Sequence, residues 1–163
     1  MRRSFPLAPM SGLIKAITIV MCAIPAALAA GTLSGVRVLW LPAALVSLLI
    51  AAVWLVARPQ RFEAGPGAID IVFPTWRRAL GDVASARLHD ARELRATYGF
   101  LVRVGVGGLW GGFGWLWSPR GTIEFYISRT DGFVLIERRG GRPLLVTPDD
   151  PAGLVATLNA PRT

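Results

Sequence analysis

Several residue types are nearly missing from this chain of 163 residues, and each shortage removes a class of function. The single cysteine, Cys22, can form no internal disulfide, so the cysteine count offers nothing in favour of an oxidising compartment. The single histidine, His89, has no second histidine or cysteine cluster to complete a zinc site. It also leaves the serines without an imidazole at any motif spacing. Asp149-Asp150 is the one adjacent acid pair, and it sits at a candidate helix start, where carboxylates serve as caps. Nucleophile with base, paired carboxylates and metal set are therefore all lacking, and no catalytic, cofactor or metal residue is expected.

Acidic residues are absent from the first 62 positions, and this decides how the net charge of +8 is read. Before Glu63 stand Arg2, Arg3, Lys15, Arg37, Arg58 and Arg61 with no counter-charge, which is +6; from Glu63 onward twelve arginines face ten acids, which is +2. The excess lies around the apolar segments. The remainder lacks the concentrated basic face that phosphate-backbone binding needs, so no nucleic-acid partner is expected.

What the first sixty residues do contain is two long uncharged runs, Ala16 to Val36 and Val38 to Ala57, parted by Arg37. Each is about 20 residues, enough at 1.5 Å per residue to cross a hydrocarbon core of roughly 30 Å. Trp40 and Trp54 sit near the ends of the second, at headgroup level. Thr18, Pro25, Gly31, Thr32, Ser34 and Gly35 dilute the first, and Arg2, Arg3 and Lys15 ahead of it with Ala27-Leu28-Ala29 behind also suit a signal peptide. The uncleaved hairpin fits better, because Gly31 to Arg37 makes a tight turn into the second run. Under the positive-inside rule Arg58, Arg61, Arg77 and Arg78 keep the carboxyl side in the cytoplasm. The expected division is a cytoplasmic segment at 1–15, a transmembrane hairpin at 16–57, a linker at 58–67 and a domain at 68–163.

The domain has mostly a period of two, the pattern of half-buried strands. Ile69, Ile71 and Phe73 alternate with Asp70 and Val72, and Leu101 to Val104 is a short apolar segment. Ile123, Phe125 and Ile127 point inward against Glu124, Tyr126 and Ser128. Asp131-Gly132 and Gly140-Gly141 then punctuate Phe133 to Glu137 and Pro143 to Val146, which predicts an antiparallel meander from Thr122 to Thr147. Thr147-Pro148-Asp149-Asp150-Pro151 starts a C-terminal helix with Leu154, Val155 and Leu158 on one stripe, stopped by Asn159 and Pro161. Val83 to Tyr98 is assigned to strands and a turn.

Gly105 to Trp117 is dominated by glycine and aromatic residues, yet it holds no G-x-G-x-x-G register and no Gly-Lys-Ser/Thr. A nucleotide cradle is excluded. Either the glycines permit tight bends while the aromatics fill a barrel, or Trp110, Trp115 and Trp117 lie outside and touch lipid or a partner. Arg103 and Arg120 flank them and would add attraction to anionic headgroups.

Arg103-Val104-Gly105, Gly107-Gly108, Gly111 to Trp117, the strand with Tyr126 and the Thr147 to Pro151 cap together resemble the bacterial pleckstrin-homology-like domain proteins. The likeness spans Ile69 to Leu158. It implies a mainly β fold, a seven-stranded antiparallel barrel with a capping C-terminal helix, behind two transmembrane helices in a bacterial inner membrane. Such folds act as binding platforms. With Arg77 and Arg78 alone near the first strand loop, the basic loop of phosphoinositide binders is only partial.

Two functions compete. One is a non-catalytic, membrane-anchored interaction module that binds a protein partner or lipid headgroups through Trp110, Trp115, Trp117, Arg103, Arg120, Arg77 and Arg78. The other is an accessory subunit of a membrane complex or transporter acting through the hairpin, whose Ala26, Ala27, Ala29, Ala30 and Gly31 suit close helix packing. A homo-oligomer is compatible with both.

Overall fold

The computed structural model describes residues 2–161. The two apolar runs form helices α1 (Gly12–Leu33) and α2 (Trp40–Ala52). They are joined through Gly35 at φ +103° and a 3-10 turn, Arg37–Leu39, and α2 ends in a π-turn, Val53–Ala57. Both helical stretches, 22 and 21 residues, are long and apolar enough to cross a membrane, and only 11% and 6% of their apolar windows are buried. A helix from a soluble core would be mostly covered. Here Leu13, Ile19, Val20, Leu48 and Leu49 all face outward, a surface that water penalises.

Ten strands follow the charge and alternation of the sequence into two sheets. β1 (Arg3–Pro6), β2 (Arg61–Gly65), β3 (Ala68–Val72) and β4 (Arg77–Leu80) form an antiparallel sheet in that order. β5 (Val83–His89), β6 (Val102–Gly107), β7 (Gly112–Ser118), β8 (Gly121–Ile127), β9 (Phe133–Arg138) and β10 (Leu144–Val146) form the second. Its order is β5-β9-β10-β8-β7-β6, antiparallel throughout except between β10 and β8. Phe5, Phe62, Ile69 and Ile71 from the first sheet pack against Phe113, Tyr126, Val134 and Val146 from the second. Helix α4 (Pro151–Asn159) adds Leu154 and Leu158 to this core.

The outer face of the six-stranded sheet is covered as well. Helix α3 (Ala91–Tyr98) lays Leu94 and Tyr98 on Leu116, Ile123, Phe125, Ile127, Phe133, Leu135 and Leu145. This explains why the alternation in β8 does not separate inside from outside: Ile123 and Phe125 are buried under α3, while Glu124, Tyr126 and Ser128 are buried on the other face. Glu124 is tolerated there because it accepts hydrogen bonds from Arg78 and from the Tyr126 hydroxyl.

The fold is thus mixed helix and sheet, with two open sheets of four and six strands in place of one seven-stranded barrel. The expected meander is also corrected. β8 and β9 do not pair; β10 lies between them, parallel to β8. Asp131-Gly132 therefore belongs to a connection that steps over one strand, although Gly132 does take φ +59°. Val83 to Tyr98 is strand followed by helix, and the start of α3 is a capping box in which the Asp90 carboxylate accepts from the Arg92 and Glu93 amides and Glu93 reaches back to the Asp90 amide. The cap of α4 is Asp150, not Thr147, whose hydroxyl is buried and accepts from the Ser128 amide. Asn159 ends α4 and binds both backbone groups of Ala86 in β5.

Residues ahead of the hairpin are part of the folded domain. β1 pairs with β2 from Arg3↔Ala64 to Pro6↔Arg61, which sets Phe5 beside Phe62, both buried. The segment expected as linker, 58–67, holds β2. Removal of the amino end at Ala30 or Gly31 would strip a strand from this sheet.

Three outcomes follow for the full chain in detergent micelles. Phe5→Ala loses about 3 kcal/mol of unfolding free energy, the lower end for a buried Phe to Ala change, read from thermal or denaturant melts; an unaltered melt would mean that β1 is not docked. Gly132→Val loses ~1–2 kcal/mol, because a β-branched residue is strained at positive φ; the atoms nearest a new Cβ are only the flexible end of Arg129, so the backbone carries the cost. Burial and then the Glu137 carboxylate, which accepts the phenol hydrogen bond at 3.1 Å, push Tyr98 up to about 12. The folded state then holds a proton that the unfolded state releases near the ordinary value of 10, so stability is full below pH 10 and falls as the pH rises toward 12. Tyr98→Phe flattens that alkaline slope.

Candidate interaction site

The glycine and tryptophan segment becomes β6, β7 and the loop between them, and it does two different things. Its loop, Gly108 to Gly111, leans on the hairpin. The Thr18 hydroxyl of α1 accepts the Trp110 amide at 2.9 Å and lies 3.0 Å from the Gly108 carbonyl, which it can donate to in place of its own Ile14 carbonyl at 2.8 Å. The Trp110 ring meets Trp54 of the π-turn edge to face at 4.7 Å. Trp54 in turn carries the Arg58 guanidinium over its ring at 4.2 Å. The fit is close: a Cβ on Gly108 would stand 2.8 Å from the Ile17 side chain.

A second contact fastens the other helix end. The Thr75 hydroxyl donates to the Leu55 carbonyl at 3.0 Å and the Trp76 indole to the Val56 carbonyl at 3.1 Å. These carbonyls sit in the final turn, where a helix has no partners of its own for them. Trp76 is held for this by stacking on Phe73 at 4.1 Å, with the rings 2° from parallel.

The strands present the second feature. Register places Val102 opposite Trp117, Val104 opposite Trp115 and Val106 opposite Phe113, all on the face that meets the four-stranded sheet. Phe113 is covered by that sheet. Beyond its reach, Val102, Val104, Trp115 and Trp117 remain exposed, the two tryptophans by 46% and 54%. Trp76 and Trp115 line a cavity of about 240 Å³ together with Val56 and Ala57 at the foot of α2, and Glu124 and Tyr126 form its polar wall. An exposed apolar strip therefore runs outward from the foot of the hairpin.

The expected arginines are distributed differently. Arg77 binds Glu63 at 2.9 Å and Asp70 at 3.6 Å, and Asp70 also pairs with Arg2; Arg78 pairs with Glu124. Both are engaged in holding buried carboxylates. Arg120 donates to the Thr97 carbonyl at the end of α3, and Arg103 lies over the Phe125 ring at 5.4 Å on the opposite face from the tryptophans. Of the expected set, Trp115 and Trp117 share one surface, Trp110 joins the hairpin, and the arginines lie elsewhere. Reading the segment alone missed Val102, Val104, Thr18 and Trp76. The alternation Val102-Val104-Val106 was a signal for the valines; nothing local marks Thr18 or Trp76, whose roles arise from contacts across the fold.

These features define a small two-sheet domain fastened at several points to an apolar helical hairpin. Comparison with protein-family models, with curated proteins and with solved structures finds no match to this chain. Among the described residues no group of three His, Cys, Asp or Glu side chains is placed to hold a metal ion.

Thr18→Val removes the hydroxyl that serves the loop and leaves the Trp110 amide unpaired. Amide exchange across Gly108 to Gly111 should rise by about tenfold, in keeping with 1–2 kcal/mol for one lost buried partner, while exchange in β8 stays as it is. Equal protection in both proteins would show that the loop stands without α1.

Proposed function

We propose that this protein is a non-catalytic, membrane-anchored interaction module that engages lipid headgroups or a protein partner at the cytoplasmic face of a bacterial inner membrane. The observation that carries this reading is the exposed Val102, Val104, Trp115 and Trp117 strip, attached rigidly to the foot of two apolar helices. Indole rings gain at the boundary between hydrocarbon and water, and the docked loop keeps the strip from swinging away. Arg2, Arg3, Lys15, Arg58 and Arg61 cluster at the domain end of the hairpin against Arg37 at the other, and the positive-inside rule then assigns the domain to the cytoplasm. The pleckstrin-homology-like assignment belongs to the same proposal; two packed sheets and a C-terminal helix in the core support it.

A second reading, an accessory subunit working through the hairpin, has one feature in its favour. A groove of about 440 Å³ opens along the helices between Cys22, Pro25, Ser47, Ala51, Trp54 and Trp110 and is almost wholly apolar.

Single-tryptophan variants of the full chain in nanodiscs that contain brominated lipid separate the two. Quenching of Trp115 or Trp117 supports the bilayer-facing module. Unquenched strands, together with co-purification of a stoichiometric membrane partner that survives Trp115→Ser/Trp117→Ser, would favour the accessory subunit.

A further inference from the structure

A sizeable cavity opens on the face turned away from the tryptophans. It lies between α3 and the six-stranded sheet and has a volume of about 740 Å³, within the range of small-molecule sites. Leu116, Ile127, Phe133 and Leu145 make its floor and Leu94 part of its wall. Every one of these side chains is hydrocarbon. Phe100 stands at the edge with 77% of its surface in solvent, which is unusual for an aromatic without a partner.

Charge at this cavity has one sign. Arg95 from α3 and Arg103 from β6 are its only charged lining residues, and among the described residues neither takes part in an ion pair. The other arginines of the candidate site are spent: Arg77 and Arg78 on buried carboxylates, and Arg120 on the Thr97 carbonyl. That last bond also pins the C-terminal end of α3, so the wall of the cavity is held in place.

We propose that this groove binds a long-chain fatty acid, with the acyl chain on the apolar floor and the carboxylate between Arg95 and Arg103. Guanidinium matches carboxylate in charge and in planar geometry. The hydrocarbon floor selects against an extended peptide, because each peptide unit brings an N–H and a C=O that these side chains cannot satisfy. An acyl chain brings none. This site stands apart from the tryptophan strip and does not depend on whether that strip meets lipid.

The test uses the full chain in phosphatidylcholine nanodiscs, a palmitate analogue with a diazirine near the methyl end, and mass spectrometry of the cross-linked peptides. The expected result is labelling of peptides that contain Leu116, Ile127, Phe133 or Leu145, displaced by palmitate and poorly by hexadecanol. Arg95→Ala and Arg103→Ala each cut labelling about tenfold, as the loss of one hydrogen bond to a charged group implies, while Arg103→Lys retains part of it. Both arginines are exposed, so these variants keep the fold, which circular dichroism checks. Labelling confined to α1 and α2 overturns the proposal, as does equal displacement by hexadecanol. Unchanged labelling in both alanine variants, or capture of an acidic amphipathic peptide with no palmitate labelling, does so too.

Discussion

The structure depends on one pairing across the hairpin. β1 precedes the first apolar helix, β2 follows the second, and their antiparallel register joins residues almost sixty positions apart. Because the two strands are bonded to one another, both ends of the hairpin must lie on the same side. That single condition also brings Phe5 into the core next to Phe62 and makes β1 an edge strand of the first sheet. Closing so long a loop is costly in entropy, though the cost grows only slowly with length. The apolar core that the pairing completes offsets it.

Polar stitches then make the hairpin and the domain one object. Ser128 is central to them: its amide donates to Thr147, its hydroxyl to the Ala8 carbonyl at 2.6 Å, and its carbonyl receives the Ser11 amide at 3.1 Å. The last turn before α1 is thereby tied to the ends of β8 and β10. On the other helix, Thr75 and Trp76 satisfy carbonyls that a helix end leaves open. Thr18 is the only described polar side chain buried on α1, and it is buried because the β6–β7 loop needs its hydroxyl. A domain attached this way has a fixed orientation relative to the hairpin, unlike one on a flexible tether.

The six-stranded sheet separates two kinds of surface. On its inner side the four-stranded sheet covers Phe113 and Tyr126 but stops short of Trp115 and Trp117, leaving apolar area at the base of the hairpin. On its outer side α3 covers Leu116 and Phe125 but leaves an open groove with two guanidinium groups that, among the described residues, join no ion pair. Alternation along β7 assigns Trp115 to one side and Leu116 to the other, so one strand serves both. Glycines at Gly105 and Gly114 let β6 and β7 approach closely at their midpoint. They face one another in the register, and a Cβ on either would collide with the opposite backbone.

Much of this was legible in the residues. The two uncharged runs specify helices of spanning length because length and hydropathy are local properties, whereas the split of charge at Glu63 misplaces the boundary, since β1 lies before it and β2 spans it. Strand positions followed from period-two patterns at Ile69 to Phe73 and Thr122 to Ser128, and the stripe of Leu154 and Leu158 identified α4. What sequence could not order was the pairing. Asp131-Gly132 describes a turn correctly in φ but cannot show that β10 inserts between the strands it connects, since strand neighbours are chosen by burial of both faces at once. Nor could the alternation in β8 reveal that Glu124 and Ser128 are buried, because Arg78 and Ala8 supply their partners from distant parts of the chain. By itself the sequence determined two apolar helices of spanning length, the charge asymmetry and most of the strands. Only the tertiary structure decided which tryptophans face outward, which arginines hold buried carboxylates and where β1 docks, because each depends on contacts between residues tens of positions apart.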